Sequence, residues 1–426
     1  MKIGLEVHVA LPTKSKLFCS CSSISDEPNS AICPICMGFP GSKPMLNGAA
    51  LSQAINVANA LNCKISESTS FVRKVYFYPD LPKSYQITQT QGAIGGNGSV
   101  ELESKRIGIR RIQLEEDPAK IVREENYTLI DFNRSGVPLV EIVTEPDISS
   151  EEELREFVFA LKSILYYLGI DIEKELKVDL NISVAKERVE IKNVTGLRNL
   201  IDAARYEIKR QQELVAKKQK VESETRSYNE KAMRTESSRE KESDEEYGFI
   251  YDPDLTSYST KSASVQKPVY AGKIAREYGK KYGGAAKTIL ELIQFDKRSL
   301  ELIDYAKAKW PMQNIINVVE VLKKYGHMDI PDEKFTRLIE IAKSGTPVNE
   351  QVLKQVIKGA AVETSNVGST DIDKEIKAMI KANQKLLKEY DKNPKVFNFI
   401  IGEVAKKLKA NPKDVSARLS SILEKI

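Results

Sequence analysis

The segment Ile3-Gly-Leu-Glu-Val-His-Val9, near the start of the chain, is the clearest indicator of the fold. Four aliphatic residues in it alternate with Gly4, Glu6 and His8, the period of two that is typical of a half-buried β-strand. Residues 100–114, 177–184 and 188–194 alternate in the same way. Because Gly, Pro and Asn separate these runs, the first half of the chain predicts a β-sheet.

Two helices are predicted between these strands, over residues 46–61 and 150–168. The second begins at Ser150, which Glu153 follows three residues later in the pattern of a capping box. The mixture of strands and helices predicts an α+β domain over residues 1–268. Residues 222–247 are charged throughout, which predicts a mobile loop or a charged hairpin outside the core.

The strand pattern ends at Pro268, and the remaining chain reads as successive helices separated by Pro and Gly. We place joints at 345–348 and 363–370, which predicts an all-helical domain over 269–345 and a small helical tail domain over 346–426. A composition of 41% hydrophobic and 29% charged residues is globular and excludes a disordered chain. No apolar run approaches the roughly 20 residues that span a bilayer, so we predict a cytoplasmic protein without a membrane partner.

Positive charge is concentrated at the end of the sequence. The net charge is +5, and residues 371–426 alone contain 13 Lys and Arg against 8 Asp and Glu. Local positive charge is the main source of affinity for a polyanion, so the tail is a candidate nucleic-acid surface. The alternative is a lysine-rich helical surface that is simply solvated.

Four of the five cysteines form two close pairs. Cys19 and Cys21 make a C-x-C motif, and Cys33 and Cys36 make a C-x-x-C motif. Two such knuckles supply the four thiolates of a tetrahedral structural Zn²⁺ site, with free thiols as the alternative. Cys63 follows an apolar helix and is interpreted as an ordinary buried thiol.

Polar residues on four predicted strands suit a divalent cation. Glu6 and His8 lie on one strand face, Glu115 to Asp117 form an acidic run, and Asp179 with Asn181 and Glu190 with Lys192 share faces elsewhere. Oxygen ligands with few histidines favour Mg²⁺ held together with phosphates. The alternative is a set of independent solvent-facing strand surfaces.

The sequence contains no standard phosphate-binding loop, so any ATP site must belong to a nonstandard fold. Residues 92–98 are rich in glycine and are interpreted as a hairpin turn. The aromatic and basic run 73–86 could stack bases and hold phosphates, or could pack beneath a proline-rich loop.

Several long motifs together resemble one family. They are the 3–9 strand, the Cys-Pro-x-Cys-x-Gly-x-Pro-Gly of 33–41, the Arg-Lys-x-Tyr-Phe-Tyr-Pro-Asp-Leu-Pro-Lys of 73–83, the Leu-Glu-Glu-Asp of 114–117 and the run 133–147. Residues 190–193, 205–211 and 399–404 continue the likeness. The sequence is identified as a member of the B subunits of aspartyl/glutamyl-tRNA amidotransferases.

The resemblance implies a cradle-shaped kinase domain, a helical domain and a tail that meets tRNA. It implies phosphorylation, with ATP and Mg²⁺, of the side-chain carboxylate of Glu-tRNA(Gln) or Asp-tRNA(Asn). Ammonia from an amidase A subunit, which assembles with a small C subunit, then displaces the phosphate. The nearest alternatives are the paralogous archaeal E subunit, which carries a large insertion absent here, and a noncatalytic tRNA-binding scaffold.

The resemblance also implies site residues. Glu6, His8 and Glu116 match metal-binding positions, with Glu115 and Glu190 beside them. Alternation from Leu114 instead places Glu115 on the polar face, unless a bulge follows Arg110-Arg111. The residues expected around substrate, ATP and the ammonia route are Arg73, Lys74, Tyr76, Tyr78, Lys83, Tyr85, Asp179, Asn181 and Lys192.

Three departures from the family pattern concern the same region. Gln113 stands where the family often has His, and Lys177 stands where it has Arg. Residues 247–254 replace a Tyr-Arg-Tyr-Phe-Pro-Glu-Pro-Asp run. Asp179 and Asn181 are retained, and the missing Arg concerns the positioning of a nucleotide or of the tRNA acceptor end.

Overall fold

The computed structural model describes residues 1–170, 176–240, 248–261, 264–283, 285–362, 369–382, 394–408 and 412–423. The chain divides into two compact units, Met1–Tyr270 and Ala271–Ile426. The first unit is mixed α/β and the described part of the second is helical. The predicted further division of the second unit at 345 stays a prediction.

Sixteen strands are present in the described part of the first unit. They are β1 Lys2–Ala10, β2 Lys64–Ile65, β3 Ser68–Thr69, β4 Val72–Val75, β5 Tyr85–Thr88, β6 Gly95–Glu101, β7 Arg106–Glu116, β8 Lys120–Arg123, β9 Thr128–Asp131, β10 Pro138–Thr144, β11 Lys177–Ser183, β12 Val189–Thr195, β13 Glu224–Asn229, β14 Arg234–Glu240, β15 Gly248–Tyr251 and β16 Tyr258–Ser259. Three helices accompany them: α1 Gly48–Ala60, α2 Glu151–Tyr167 and α3 Leu197–Ala216.

Nine strands form one large sheet in the order β14-β13-β12-β11-β1-β10-β7-β6-β2. The first strand of the chain lies near its middle, antiparallel to both β10 and β11. β12 pairs with β13 in parallel, so the sheet is mixed. The smaller sheets are β15-β4-β5, β16-β3 and β8-β9.

The main core lies on the aliphatic face of β1. Ile3, Leu5, Val7 and Val9 are at most 4% exposed, as their alternation predicts. Buried residues of α1, α2 and α3 pack into the same cluster. Because successive strand side chains point to opposite faces, Glu6 and His8 lie on the other side of the sheet.

The predicted start of α2 is confirmed, with one difference. Ser150 Oγ accepts a hydrogen bond from the Glu153 amide at 3.1 Å, as an N-cap residue does. The Glu153 carboxylate accepts from the Ser149 amide at 2.8 Å, one residue before the cap. The reciprocal half of the capping box is therefore displaced by one residue.

The charged segment 222–247 contains a hairpin, β13 to β14, which extends the large sheet. The prediction that this segment lies outside the core is wrong for Thr225 and Thr235, which are buried. Thr235 Oγ1 donates a hydrogen bond to Glu207, a fully buried carboxylate of α3 that binds Arg210 and Arg226. The charge of Glu207 can be buried because it is paired with two arginines. Residues 241–247 of the segment lie outside the described part of the chain.

The glycine-rich segment 92–98 is not a simple turn, because its last residues already belong to β6. A Cβ on Gly98 would lie 2.4 Å from both Cys63 Sγ and the Leu61 carbonyl oxygen. Close packing, and not turn geometry, therefore requires glycine there.

The described part of the second unit consists of nine helices. They are α4 Ala271–Tyr282, α5 Ala286–Ile293, α6 Lys297–Ala306, α7 Met312–Lys324, α8 Asp332–Lys343, α9 Glu350–Ile357, α10 Ser369–Ala382, α11 Pro394–Leu408 and α12 Pro412–Leu423. The predicted joint at 345–348 separates α8 from α9, whereas 363–368 of the second joint lie outside the described residues. Within the described segments, no helix is long and apolar enough to cross a membrane.

Candidate active site

The polar face of the large sheet collects ionisable residues from five neighbouring strands. In the sheet register, His8 lies opposite Glu141 of β10, and Glu141 lies opposite Gln113 of β7. On the other side of β1, Glu6 lies opposite Asp179 of β11. The sheet thus brings together the strand faces that were predicted to carry polar residues, in two clusters.

The first cluster is His8, Glu115 and Glu141, and one ligand atom of each lies within 4.8 Å of the others. His8 Nε2 is 3.2 Å from Glu115 Oε1. Burial alone would lower the pKa of His8, but the hydrogen bond to Glu115 and the charges of Glu115 and Glu141 raise that pKa to about 9. The same pairing holds the pKa of Glu115 below its ordinary value although the carboxylate is buried.

Glu141 was not predicted as a site residue. It is 6% exposed, and burial, followed by the charge of Glu115, raises its pKa to about 7. Gln113 donates a hydrogen bond to it from Nε2. The signal in the sequence was a lone carboxylate within the otherwise apolar run 137–143, since an unpaired charge is costly in a buried strand.

The second cluster is Glu6, Asp179 and Glu190, which have ligand atoms within 4.8 Å of one another. Lys192 Nζ lies 3.0 Å from Glu190 and 3.4 Å from Asp179. Burial and then the charges of Glu190 and Asp179 raise the pKa of Glu6. All these residues were predicted for the site.

Asn181 completes this cluster. Its Nδ2 donates to Glu6 at 3.2 Å, while its Oδ1 is buried and accepts no hydrogen bond within the described part of the chain. A buried orphan oxygen beside three carboxylates is a group that a bound cation would satisfy. The donor set of both clusters therefore fits Mg²⁺, with the carboxylates as its oxygen ligands and His8 as a nitrogen ligand.

Glu116 does not join His8, in contrast to the pattern implied by the resemblance. Lys83 Nζ lies 2.6 Å from each Glu116 carboxylate oxygen, and the Ile87 amide donates to the same group at 2.9 Å. The strand does contain a bulge, at Arg110, where the register shifts between β7 and β10. This bulge lies before the alternation of 111–116 begins, so Glu115 faces His8 and Glu116 points to the opposite face.

Lys74 and Tyr76 lie next to the first cluster. The charge of Lys74 contributes to the lowered pKa of Glu115. Burial and then the charges of Asp80 and Glu115 raise the pKa of Tyr76, whose ring lies 5.7 Å from Lys74 Nζ. The structure thus places both of these predicted residues beside the carboxylates.

The other residues predicted from the run 73–86 have different surroundings. Arg73 Nε lies 2.9 Å from Asp252, which ties β4 to the chain after β15. The guanidinium of Arg73 and the ammonium of Lys83 lie 4.7 and 5.4 Å from the ring centre of Tyr85. Tyr78 is exposed and its hydroxyl accepts a hydrogen bond from Arg123 at 2.8 Å. Arg73 and Tyr85 are therefore held by protein contacts, whereas Tyr78 is at the surface.

The four predicted zinc ligands, Cys19, Cys21, Cys33 and Cys36, come together. Their sulfur atoms all lie within 4.8 Å of one another. Cys33 Sγ and Cys36 Sγ are 3.9 Å apart, close to the edge of about 3.8 Å expected for a tetrahedron with Zn–S bonds of about 2.3 Å. The Cys33 amide also donates to Cys36 Sγ at 3.2 Å. The residues therefore fit a structural zinc ion.

The cysteine knuckle adjoins the Lys83–Glu116 pair. Lys16 Nζ, 3.8 Å from Cys36 Sγ, also donates to the Phe132 carbonyl at 3.1 Å. The hydrogen bond with Cys19 is the main cause that lowers the pKa of Cys36 to about 5. A Cβ on Gly136 would lie 3.5 Å from both Lys16 and Glu116. The knuckle therefore forms one wall beside the buried ion pair.

Together, these features define an enzyme class in which buried carboxylates and lysines on one sheet face could hold a cation and an anionic substrate. Residues 1–266 match the family model described as the GatB/GatE catalytic domain.

Full-length relatives agree with the family model. The B subunit of aspartyl/glutamyl-tRNA(Asn/Gln) amidotransferase of Saccharolobus solfataricus is 37% identical, over 96% of this chain and 95% of its own. Proteins with the same name from Methanoregula boonei and Carboxydothermus hydrogenoformans are 35% and 33% identical over at least 98% of both chains. The chain belongs to this family of amidotransferase B subunits. The predicted family is therefore confirmed, as is the prediction of an enzyme of the ligase class.

Proposed function

We propose that the chain activates the side-chain carboxylate of Glu-tRNA(Gln), Asp-tRNA(Asn) or both. A carboxylate oxygen attacks the γ-phosphorus of ATP, the bond to the ADP oxygen breaks, and an acyl phosphate forms. Ammonia then attacks the acyl carbon, phosphate leaves with the bonding electrons, and the nitrogen loses a proton. The product is the side-chain amide of Gln-tRNA(Gln) or Asn-tRNA(Asn).

The observation that carries this proposal is the pair of carboxylate clusters on one polar face of the sheet. Glu6 and Glu190 in one cluster, and His8 with Glu115 in the other, are the residues that would hold Mg²⁺. When bound, Mg²⁺ would supply positive charge to the transferring phosphoryl group. We assign Glu115 to this role in place of Glu116, and we add Glu141.

Lysines supply the fixed positive charge of the proposed site. Lys192 bridges Asp179 and Glu190, and its ammonium would bind phosphate oxygens beside the second cluster. Lys74 lies near Glu115 and would orient the substrate carboxylate. Preorganised charges of this kind stabilise the charge that develops during phosphoryl transfer.

We further propose that ammonia comes from a separate amidase A subunit, joined by a small C subunit, in a cytoplasmic complex. Lys83 lies apart from the two clusters and remains our proposal for the ammonia route. We now propose the same role for its partner Glu116, in place of the predicted metal binding. The tail, 346–426, would bind the tRNA, and the cysteine knuckle would hold a structural Zn²⁺. In this arrangement the cradle domain does the chemistry and the helical parts hold the substrate.

The test is ADP formation by the reconstituted complex with ATP, Mg²⁺ and each misacylated tRNA. Glu6→Gln retains the shape of the side chain but removes a charge, so the rate should fall by roughly 10²-fold or more. Glu101→Gln, at an exposed end of β6, is the matched control and should retain the wild-type rate. A wild-type rate for Glu6→Gln would mean that Glu6 holds no cation of the reaction. Absence of ADP formation by the wild-type complex would favour the noncatalytic scaffold instead.

A further inference from the structure

Two exposed aromatic side chains lie one and two residues after Tyr76 in the chain. Phe77 is 88% exposed and Tyr78 is 45% exposed. They follow Tyr76, whose half-buried side chain lies close enough to Glu115 to feel its charge. Residues 76–78 therefore lead from the side of the first cluster to the surface. We call the two outer rings the Phe77–Tyr78 edge.

Protein contacts fix the position of this edge. The Asp80 carbonyl accepts a hydrogen bond from the Ala119 amide at 3.0 Å, which ties the loop to the segment after β7. Arg123, at the end of β8, donates to the Tyr78 hydroxyl at 2.8 Å. The rings are thus exposed although contacts hold both the Tyr78 hydroxyl and the backbone at Asp80.

Large exposed rings in a fixed loop are costly to hydrate and are typical of a contact surface. The basic residues Lys120 and Arg123 are exposed nearby, but Glu124 and Glu125 at the hairpin tip offset their charge. Charge alone therefore does not select the partner. The exposed rings favour a nucleic-acid partner, because every nucleobase offers an aromatic face on which a ring can stack.

We propose that Phe77 and Tyr78 form a stacking platform for the unpaired 3′-terminal nucleotides of the aminoacylated tRNA. This inference rests on the proposed function. The reacting carboxylate belongs to an amino acid esterified to the terminal ribose, so the terminal base must lie within one amino acid's length of the cluster. The Phe77–Tyr78 edge directly follows Tyr76, whose ring lies near Lys74 and Glu115, so it is a suitable position for that base. Arg123 would bind the adjoining phosphate.

The first test is steady-state ADP formation with the reconstituted complex. Phe77→Ala should raise the KM for misacylated tRNA about tenfold, because one stacked base is lost, and should change kcat less than about twofold. Phe77→Trp should restore the KM. Phe159→Ala, which removes an exposed ring from α2, is the control and should match wild type.

The second test is direct and independent of turnover. A tRNA with 2-aminopurine as its terminal base should lose fluorescence on binding the wild-type complex, because stacking quenches the probe. The quench should disappear in Phe77→Ala and Tyr78→Ala and persist in Phe159→Ala.

Two results would overturn the platform. Wild-type KM and quenching in Phe77→Ala would do so, as would unchanged quenching accompanied by dissociation of the amidase subunit, which would make the edge a protein interface. Loss of ADP formation in every protein, wild type included, would reject the proposed function, whereas the quench would still report on the platform.

Discussion

Gly38 packs so closely against Lys83 that a Cβ on the glycine would lie 2.7 Å from Lys83 Cγ and 3.2 Å from its Cα. Gly38 belongs to the cysteine knuckle, two residues after Cys36, and Lys83 binds the buried Glu116. The knuckle therefore fixes the position of a lysine that is remote in sequence. The cysteine knuckle and the Lys83–Glu116 pair are therefore mechanically linked.

Gly38→Ala should displace Lys83 from Glu116 and reduce glutamine-dependent amidation of the misacylated tRNA by about tenfold or more. Gly41→Ala is a matched control, because Gly41 also has a positive φ of 79° but has no neighbour within 4 Å of the added Cβ. Both changes introduce backbone strain, and only the first introduces a clash. The comparison of amidation rates at saturating tRNA isolates the effect of the clash, and equal losses in both variants would show that only backbone strain matters.

Cys33→Ser should lower both metal content and thermal stability. The four sulfur atoms surround one centre, as the ligands of a four-coordinate zinc ion would. The three thiolates left in the variant would bind the ion less tightly. The zinc content of the purified protein, measured by elemental analysis, should fall from one ion per chain towards zero. Cys63→Ser is the control, since Cys63 is a buried thiol outside the group, and its zinc content should stay at one.

The positions of the polar residues could be predicted from local sequence because β1 alternates so regularly. Glu6 and His8 had to share a face once the aliphatic residues of β1 were buried. Which of Glu115 and Glu116 faces His8 depended on where the chain placed its bulge. The pairing that locates the bulge at Arg110 joins β7 to β10, a contact between strands that no local pattern reveals.

The remaining features of the site depend on contacts between distant parts of the chain. Glu141 is a single carboxylate in an otherwise apolar run, and only its contacts with Gln113 and its neighbour His8 show what its polar role is. The contact of Gly38 with Lys83 joins segments 45 residues apart and leaves no periodic signal. Likewise, the charged segment at 224–240 joined the sheet because Glu207 on α3 pairs with Arg226.

Glu141→Gln should change the pH dependence of stability in protein freed of divalent cations. The folded-state pKa of Glu141 is raised from 4.5 to about 7, so the folded protein binds a proton that the unfolded chain releases between those values. The free energy of unfolding should therefore fall as the pH rises through this window, by about 3 kcal/mol for this group. Gln cannot ionise, so the variant should not show that loss.

Urea unfolding gives the free energy of unfolding of Glu141→Gln and of wild type at pH 5 and at pH 8. The effect is the change, between the two pH values, in the free-energy difference between the two proteins. Glu145→Gln is the control, and its difference from wild type should be nearly equal at pH 5 and pH 8, because both values lie above the unfolded pKa of 4.5. The hydrogen bond with Arg110 lowers the pKa of Glu145, so its contribution is present above the unfolded pKa and is lost as the pH falls. Parallel pH profiles for wild type and Glu141→Gln would mean that Glu141 is not held protonated in the fold.

Exposed lysines of the tail should determine how tRNA binding depends on salt. Lys374, Lys377 and Lys381 are exposed on α10, whereas Ile372, Ile376 and Ile380 form part of a small core with α11 and α12. Changing the three lysines to Gln should leave that core intact and reduce the slope of log affinity against log salt, by up to about 0.9 for each phosphate that the tail no longer neutralises. A charge-matched control changes three exposed lysines before the tail to Gln: Lys297 in α6, Lys309 between α6 and α7, and Lys324 in α7. Filter binding of tRNA across a salt series distinguishes the outcomes. An equal slope for the tail variant and wild type would leave the positive charge of the tail with no role beyond solvation.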